Sequence, residues 1–316
     1  MSQFSWSYDA PSGTYKSHAM SQKLRQAAIA ETKFMQFVNP EPGYGKKMGE
    51  SITISRVSNL AVPSNGRLGE KQRIPEDDLV LSTISITVSE WGRSVPYTSL
   101  SEDLSKFDIN NIIQKTLKDQ MKLVLDNAAA AAFKTGKIKG VADGVSSLTV
   151  TTNGVAGATA AANLNVYHIE QIRDYMFATL NVPTFDGDNY IGLVSTKAKR
   201  GVMNDPAWEP WHKYTDPEAK FNSEIGRLEN IRFIEINNSN ALDGTIGTGG
   251  VAGEAVFFGA DAVAMVSAQD PELRAAIPGD FGRSKAVAWY GILEFGQIWS
   301  DSANPGEARV LHFTSL

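Results

Sequence analysis

No cysteine occurs among the 316 residues, which excludes a disulfide framework, a thiolate nucleophile and a cysteine-ligated zinc or iron–sulfur site. Histidine is nearly as scarce: the 4 copies, His18, His168, His212 and His312, are scattered, with no pair at the four-residue spacing that sets two imidazoles on one helix face to hold zinc. No stretch reaches the roughly 18 uninterrupted apolar residues of a membrane-spanning helix, so no membrane partner is expected. The opening Met1-Ser2-Gln3-Phe4-Ser5-Trp6-Ser7-Tyr8-Asp9 lacks the basic segment and apolar core of a signal peptide, and the chain is expected to be made and kept in the cytosol. Long runs of Lys and Arg are missing. With 35 Asp and Glu against 30 Lys and Arg the net charge is -5, opposite in sign to proteins that neutralise phosphate. Strong DNA binding is therefore not expected to be its main task, and short pairs such as Lys46-Lys47 read as solvated surface.

What is present is core material. Hydrophobic residues make up 42%, with 14 Phe, 9 Tyr and 6 Trp, the profile of an ordered globular chain long enough for one elaborate domain or two modest ones. The spacing of Leu24, Ala27, Ala28, Glu31 and Met35 predicts a helix from Met20 with a modest apolar stripe, ended by Pro40-Glu41-Pro42-Gly43. This reads as an arm joined to a body. Two period-two stretches, Ile52-Thr53-Ile54 with Val57 and Ile84-Ser85-Ile86-Thr87-Val88, predict half-buried strands pairing as a long hairpin. Between them lie Pro63, Asn65-Gly66, Gly69 and Pro75 and the mixed charges Arg67, Glu70, Lys71, Arg73, Glu76, Asp77 and Asp78. A connection of that length without a core of its own marks a functional, projecting loop.

Over residues 108 to 134, Ile109, Ile112, Ile113, Leu117, Met121, Val124, Ala128, Ala131 and Ala132 recur at spacings of three and four. They predict a long helix with Asp108 as N-cap and Gly136 as stop. At about 1.5 Å per residue it would span roughly 40 Å and needs an extended surface to lie on. Residues 137 to 163 are small, polar and β-branched, suggesting short strands or a surface insertion. A second helix (Val166, Ile169, Ile172, Arg173, Met176, Phe177, Leu180) and the strand-like stretches at 190–194, 231–236, 255–258, 287–299 and 309–313 complete a mixed α+β chain.

Tests for chemistry find little. Neither Gly45-Lys46-Lys47 nor Gly136-Lys137-Ile138 completes a phosphate-binding loop, and Gly247-Thr248-Gly249-Gly250-Val251-Ala252 lacks the preceding strand and following helix of a dinucleotide site. Ser195, His168 and Asp186 could nominally form a hydrolase triad, but the Gly-x-Ser-x-Gly elbow is absent and Ser195 reads as a strand-to-helix exit. Asp186-Gly187-Asp188-Asn189 resembles the start of a calcium loop, yet Lys197 stands where the twelfth-position carboxylate belongs, so a turn is expected. Trp208 and Trp211, in a proline-broken aromatic segment without a basic framework, read as anchors for a partner rather than as base-stacking platforms. No catalytic residue, cofactor or metal is expected.

Four segments carry a resemblance to a known family: Ile54-Ser55-Arg56-Val57-Ser58-Asn59-Leu60-Ala61-Val62-Pro63, Val88-Ser89-Glu90-Trp91-Gly92-Arg93-Ser94-Val95-Pro96-Tyr97-Thr98, Phe257-Phe258-Gly259-Ala260-Asp261-Ala262-Val263 and Pro278-Gly279-Asp280-Phe281-Gly282-Arg283-Ser284. From about Ala19 to the C-terminus, the sequence and the order of its elements resemble the major capsid proteins of tailed double-stranded-DNA phages, in particular a podovirus-associated group. That fold is shared with encapsulins.

The resemblance implies an N-terminal arm (1–49), an extended loop (50–97), a peripheral domain (98–165) with a spine helix at 108–134, an axial domain (166–270), and C-terminal strands (271–316) completing the peripheral sheet. It also implies a non-enzymatic subunit that assembles with itself into hexamers and pentamers of an icosahedral shell, built in the host bacterial cytoplasm and ending in the virion. A portal protein, scaffolding or cement proteins, and DNA held by weak non-specific contact would be its partners. An encapsulin-like compartment is the alternative. Some relatives weld neighbours through a lysine–asparagine bond, but no such motif is matched here and no crosslink is expected. Arg67, Lys71 and Arg73 against Glu76, Asp77 and Asp78, with Trp208 and Trp211, are the candidates for contact between subunits.

Overall fold

A computed structural model describes residues 27–41, 44–60, 62–63, 66–206, 208, 224–242, 253–300 and 306–316. In chain order its elements are β1 (Asn39–Pro40), β2 (Ser51–Val57), β3 (Leu81–Thr87), β4 (Ser89–Thr98), α1 (Ser99–Leu104), α2 (Ile109–Lys134), β5 (Ile138–Gly144), β6 (Ser147–Thr151), α3 (Val166–Asp174), β7 (Tyr190–Ser195), α4 (Thr196–Met203), β8 (Glu224–Leu228), β9 (Ile231–Ile236), α5 (Ser239–Leu242), β10 (Gly253–Phe258), β11 (Val263–Ala275), β12 (Ser284–Gln297) and β13 (Val310–Ser315).

The long helix is present as its periodicity predicts. Asp108 caps α2 by accepting the amide of Asn111 at 3.1 Å, and 26 residues follow before Thr135. Its two halves lie on different sheets. Ile113 and Leu117 pack with Val287 and Trp289 of the four-stranded sheet β1-β11-β12-β4. Leu125, Ala129, Ala130 and Phe133 pack with Ile191, Leu193, Val256 and Phe258 of the seven-stranded sheet β6-β5-β13-β10-β7-β9-β8. Each large buried side chain contributes about 1.5–3 kcal/mol, so packing on two sheets, more than helix propensity, fixes where the helix lies. The alanines of its C-terminal half let the backbone come close enough for the Phe133 and Phe258 rings to meet at 4.8 Å.

Gly136 acts by space rather than by conformation. It lies outside the positive-φ glycines, and a Cβ there would meet the Gln297 amide at 3.1 Å. Through that gap Gln297 Nε2 donates to the carbonyls of Ala132 and Phe133, both at 2.9 Å, satisfying two of the acceptors that a helix end leaves open. The Ala132 carbonyl also accepts from Thr135 at 2.7 Å, so replacing Gln297 with Ala removes the donor to the Phe133 carbonyl and is expected to cost about 1–3 kcal/mol, read as a lower urea midpoint at unchanged m.

Alternation along the strands of the seven-stranded sheet separates two cores. Val256 and Phe258 of β10 face α2, whereas Ala255 and Phe257 face α3 and α4. All six residues of β10 are buried, as expected of a strand covered on both faces.

Two expectations are corrected and one is resolved. The arm helix predicted from Met20 is absent where the chain is described: residues 27–33 form no helix, and one 3-10 turn spans Phe34–Phe37. There Phe34 is drawn fully into the core, 5.7 Å from Phe133, and the Met35 amide donates to Asp126 at 3.2 Å. This burial outweighs a weak amphipathic stripe. Of the two readings for residues 137–163, short strands are what forms: β5 pairs with β6 and, in parallel, with β13 inside the seven-stranded sheet, so this part is not a surface insertion. The C-terminal strands do not share a sheet: β12 joins the four-stranded one, while β13 lies between β5 and β10. Leu311 and Phe313 are fully buried in the core on the α3 side, and that burial decides the placement.

Candidate assembly surfaces

The paired isoleucines make a stem for the projecting loop. In β2 and β3, Ile52 faces Ile86 and Ile54 faces Ile84, and Ile86 packs into Ala264, Val266 and Ile298 at the body. A Cβ on Gly296 would lie 2.7 Å from the Ile86 side chain, so glycine is what lets the stem seat there. Arg56 Nη1 donates to the Ile298 carbonyl at 2.9 Å, and Arg56 and Arg309 both stack over the Trp299 ring. The hairpin ends at β3: β4, expected in the extended loop, pairs with β12 instead, Ser89 opposite Leu293 through Thr98 opposite Ser284.

Beyond this stem the chain has no core. Every described residue from Asn59 to Val80 is exposed, Leu60, Val62, Leu68, Ile74, Leu79 and Val80 among them. Arg67, Lys71, Arg73, Glu76, Asp77 and Asp78 all lie on this loop. Arg73 pairs with Glu76 at 2.6 Å, but with both side chains at least 79% exposed such a pair contributes little and can exchange partners at small cost. Six large apolar side chains left in water along one segment mark a contact surface.

The aromatic segment divides. Trp208 is buried, edge-on to Phe233 in the core beside β9, so its indole serves the chain's own packing and is not a free anchor. Trp211 lies outside the described residues, as do the glycines of 247–252.

The residues nominated for chemistry have structural work. Ser195 Oγ caps α4 by accepting the Ala198 amide, His168 sits in the capping box of α3 with Nε2 2.8 Å from the Gly144 carbonyl, and Asp186 pairs with Arg232 at 2.8 Å. Asp186 to Asn189 form the expected turn, with Gly187 at φ 56°. Among the described residues no cluster of His, Asp and Glu is placed to hold a metal.

No family model matches the chain, and no curated protein does. Solved structures do. The chain aligns with the capsid asymmetric unit of cyanophage Pam1 at a TM-score of 0.71 and 13% identity, covering 100% of this chain and 99% of that one. For the acid-stable capsid of Helicobacter pylori bacteriophage KHP30 the TM-score is 0.70 at 12% identity, over 95% of each chain. For the capsid of Ralstonia phage GP4 it is 0.67 at 14% identity, over 98% of each. The chain has the tailed-phage major capsid fold.

Within this capsid fold one group of charges is buried rather than offered to a neighbour. Lys139, Glu254 and His312 stand on adjacent strands of the seven-stranded sheet, each at most 6% exposed, at the C-terminal end of α2. Lys139 Nζ donates to the Lys134 carbonyl at 2.6 Å and lies 3.4 Å from His312 Nδ1. His312 Nε2 is 3.4 Å from Glu254 Oε1, and Lys134 Nζ is 3.4 Å from Glu254 Oε2. Loss of solvent lowers the pKa of both Lys139 and His312, and Glu254 opposes the shift in each. The group ties the helix end to the sheet.

Proposed function

We propose that this chain is the major capsid protein of a tailed double-stranded-DNA phage, a non-enzymatic subunit that assembles into hexamers and pentamers of an icosahedral shell. The observation that carries this reading is the pairing of a fold matched end to end in phage capsid structures with a loop whose described residues are all exposed. A shell subunit gains its binding energy between copies. An extended loop overlapping a neighbour buries area no monomer can, while each contact stays modest enough to be corrected during assembly. Arg67, Lys71 and Arg73 against Glu76, Asp77 and Asp78 would then set register more than affinity.

In this reading α2 is the spine helix of the peripheral domain with the four-stranded sheet, residues 51–87 are the extended loop and its stem, and the seven-stranded sheet is the axial domain. The protein resides in the virion after assembly in the host cytoplasm. Its partners are its own copies, a portal protein, scaffolding or cement proteins, and packaged DNA touched weakly because the subunit is acidic overall. The phage capsids it resembles support a genome-enclosing shell over an encapsulin-type compartment.

Electron micrographs of the expressed protein, with helper proteins where required, are expected to show closed hollow shells of uniform size. Protein that stays dispersed at high concentration under all these conditions overturns the reading.

A further inference from the structure

The side of the four-stranded sheet that α2 covers carries a row of cations. Residues three and four apart share a helix face, so Lys115, Lys118 and Lys122 line one stripe of α2, all exposed, opposite the buried Ile113 and Leu117 that pack on the sheet. Alternation along β4 adds a fourth. Trp91 and Val95 pack toward α2, so Arg93 between them leaves the sheet on the same side, and it too is exposed. Among the described residues none of these four side chains has an ion-pair or hydrogen-bond partner. Asp119, half-buried beside the row, pairs with none of them, and Glu102 of α1 is taken by Lys285 at 2.8 Å.

The other side of the sheet spends its charges within the chain. There Arg274 pairs with Glu272 at 2.8 Å and stacks over Tyr290, the Tyr290 hydroxyl donates to Glu90 at 3.2 Å, and Lys46 also acts on Glu272. Nothing comparable balances the row on α2. Lys118 and Lys122 even stand four apart, a spacing at which like charges repel, in a chain whose net charge is -5. Cations that are segregated, unpaired and mutually repulsive suit a polyanion laid along the helix. The length fits as well: Lys115 to Lys122 advances roughly 10 Å at about 1.5 Å per residue, and one strand of a DNA duplex presents a phosphate about every 3.4 Å along its axis.

We propose that Lys115, Lys118 and Lys122, with Arg93 beside them, form the surface at which the subunit touches the phosphate backbone of double-stranded DNA, about three phosphates to each copy. The inference rests on the shell reading and gives its weak DNA contact a place. Lysines on a smooth helix face meet phosphates without reading bases. A contact of about three charges is weak in one copy, so a duplex can slide over each subunit while many copies together retain it.

The test uses the full-length, unassembled chain and a fluorescent duplex of about 20 base pairs, with binding followed by anisotropy as NaCl rises from about 50 to 200 mM. Three neutralised phosphates predict that the wild-type association constant falls about 40-fold over that range, a log–log slope steeper by about 2.7 than that of a variant carrying Lys115→Gln, Lys118→Gln and Lys122→Gln. Glutamine forms helix about as well as lysine, so this variant is expected to unfold at the wild-type temperature and to close shells normally. Lys46→Gln with Lys47→Gln, on the other side of the sheet, is expected to leave the slope unchanged. A wild-type chain without salt-dependent binding, or a triple variant that keeps the wild-type slope, overturns this contact and leaves the shell reading intact. So does a folded triple variant that no longer closes shells in the absence of DNA, because the row would then serve a protein partner. Protein that binds the duplex with the expected slopes but never forms shells supports the contact and sinks the shell reading.

Discussion

A subunit lacking residues 64–78 is expected to fold normally and to fail to close shells. Its stem survives the cut, because β2 and β3 are held by their own register and by Ile86 in the body. The strand ends are also close: the Ser58 amide donates to the Val80 carbonyl at 3.1 Å, so the shortened chain can bridge them. The described residues of the removed segment are all exposed, and shortening the loop about threefold changes its closure entropy by only about 1 kcal/mol, in the stabilising direction. Assembly loses far more. Leu68 and Ile74 and all the mixed charges go, and the truncated chain cannot reach across a neighbour, so each of the many equivalent contacts in a shell is weakened together. Thermal unfolding of the purified subunit and electron microscopy of the assembly reaction separate the two effects. Shells of normal size and yield would show that the loop is not the part that overlaps neighbours.

Replacing Glu254 with Ala is expected to destabilise the subunit by about 3–5 kcal/mol, the usual cost of breaking a buried ion pair by removing one partner. Glu254 is 1% exposed, and its carboxylate lies against Lys134 and His312 with Lys139 alongside. Without it, Lys139, only 6% exposed, loses the opposing charge that favours its ammonium form. A denaturant midpoint unchanged by Glu254→Ala would show that the charges relax to solvent.

The same group makes the subunit acid-sensitive in a definite direction. Burial holds His312 below the ordinary histidine range, Glu254 pulling the other way and Lys139 and Lys134 adding to the shift. The unfolded chain therefore takes up this proton first as pH falls through about 6.5. Stability present above that pH is lost progressively below it, and His312→Gln is expected to flatten the slope of stability against pH between about 6.5 and 5. Asp126 acts oppositely: burial raises its pKa, so its contribution is complete at low pH and is lost as pH rises through the folded value. A slope unaltered by His312→Gln would remove His312 from the acid response.

Where one local rule sufficed, the sequence by itself determined the outcome. Asp108 and the three-and-four spacing from Ile109 defined α2, the alternating isoleucines defined the two strands of the hairpin, and Ser195 read correctly as a strand-to-helix exit and Asp186 to Asn189 as a turn. The unburied loop was legible too, because two strong strands enclosed a segment with no periodicity of its own.

What only the tertiary structure decided was which surfaces met. Strand pattern shows that β13 is buried but not that β5 and β10 flank it, because pairing joins segments far apart in the chain. The apolar spacing around Met35 does not show that Phe34 is drawn to Phe133, and Trp208 could be told from an exposed anchor only by its contact with Phe233. The left-handed backbone of Phe281 left no trace in periodicity, since a backbone angle at one turn is set by the strands that close it. Local sequence fixes an element through bonds a few residues apart, whereas burial is shared among residues hundreds of positions distant, and those are settled only when the whole chain packs.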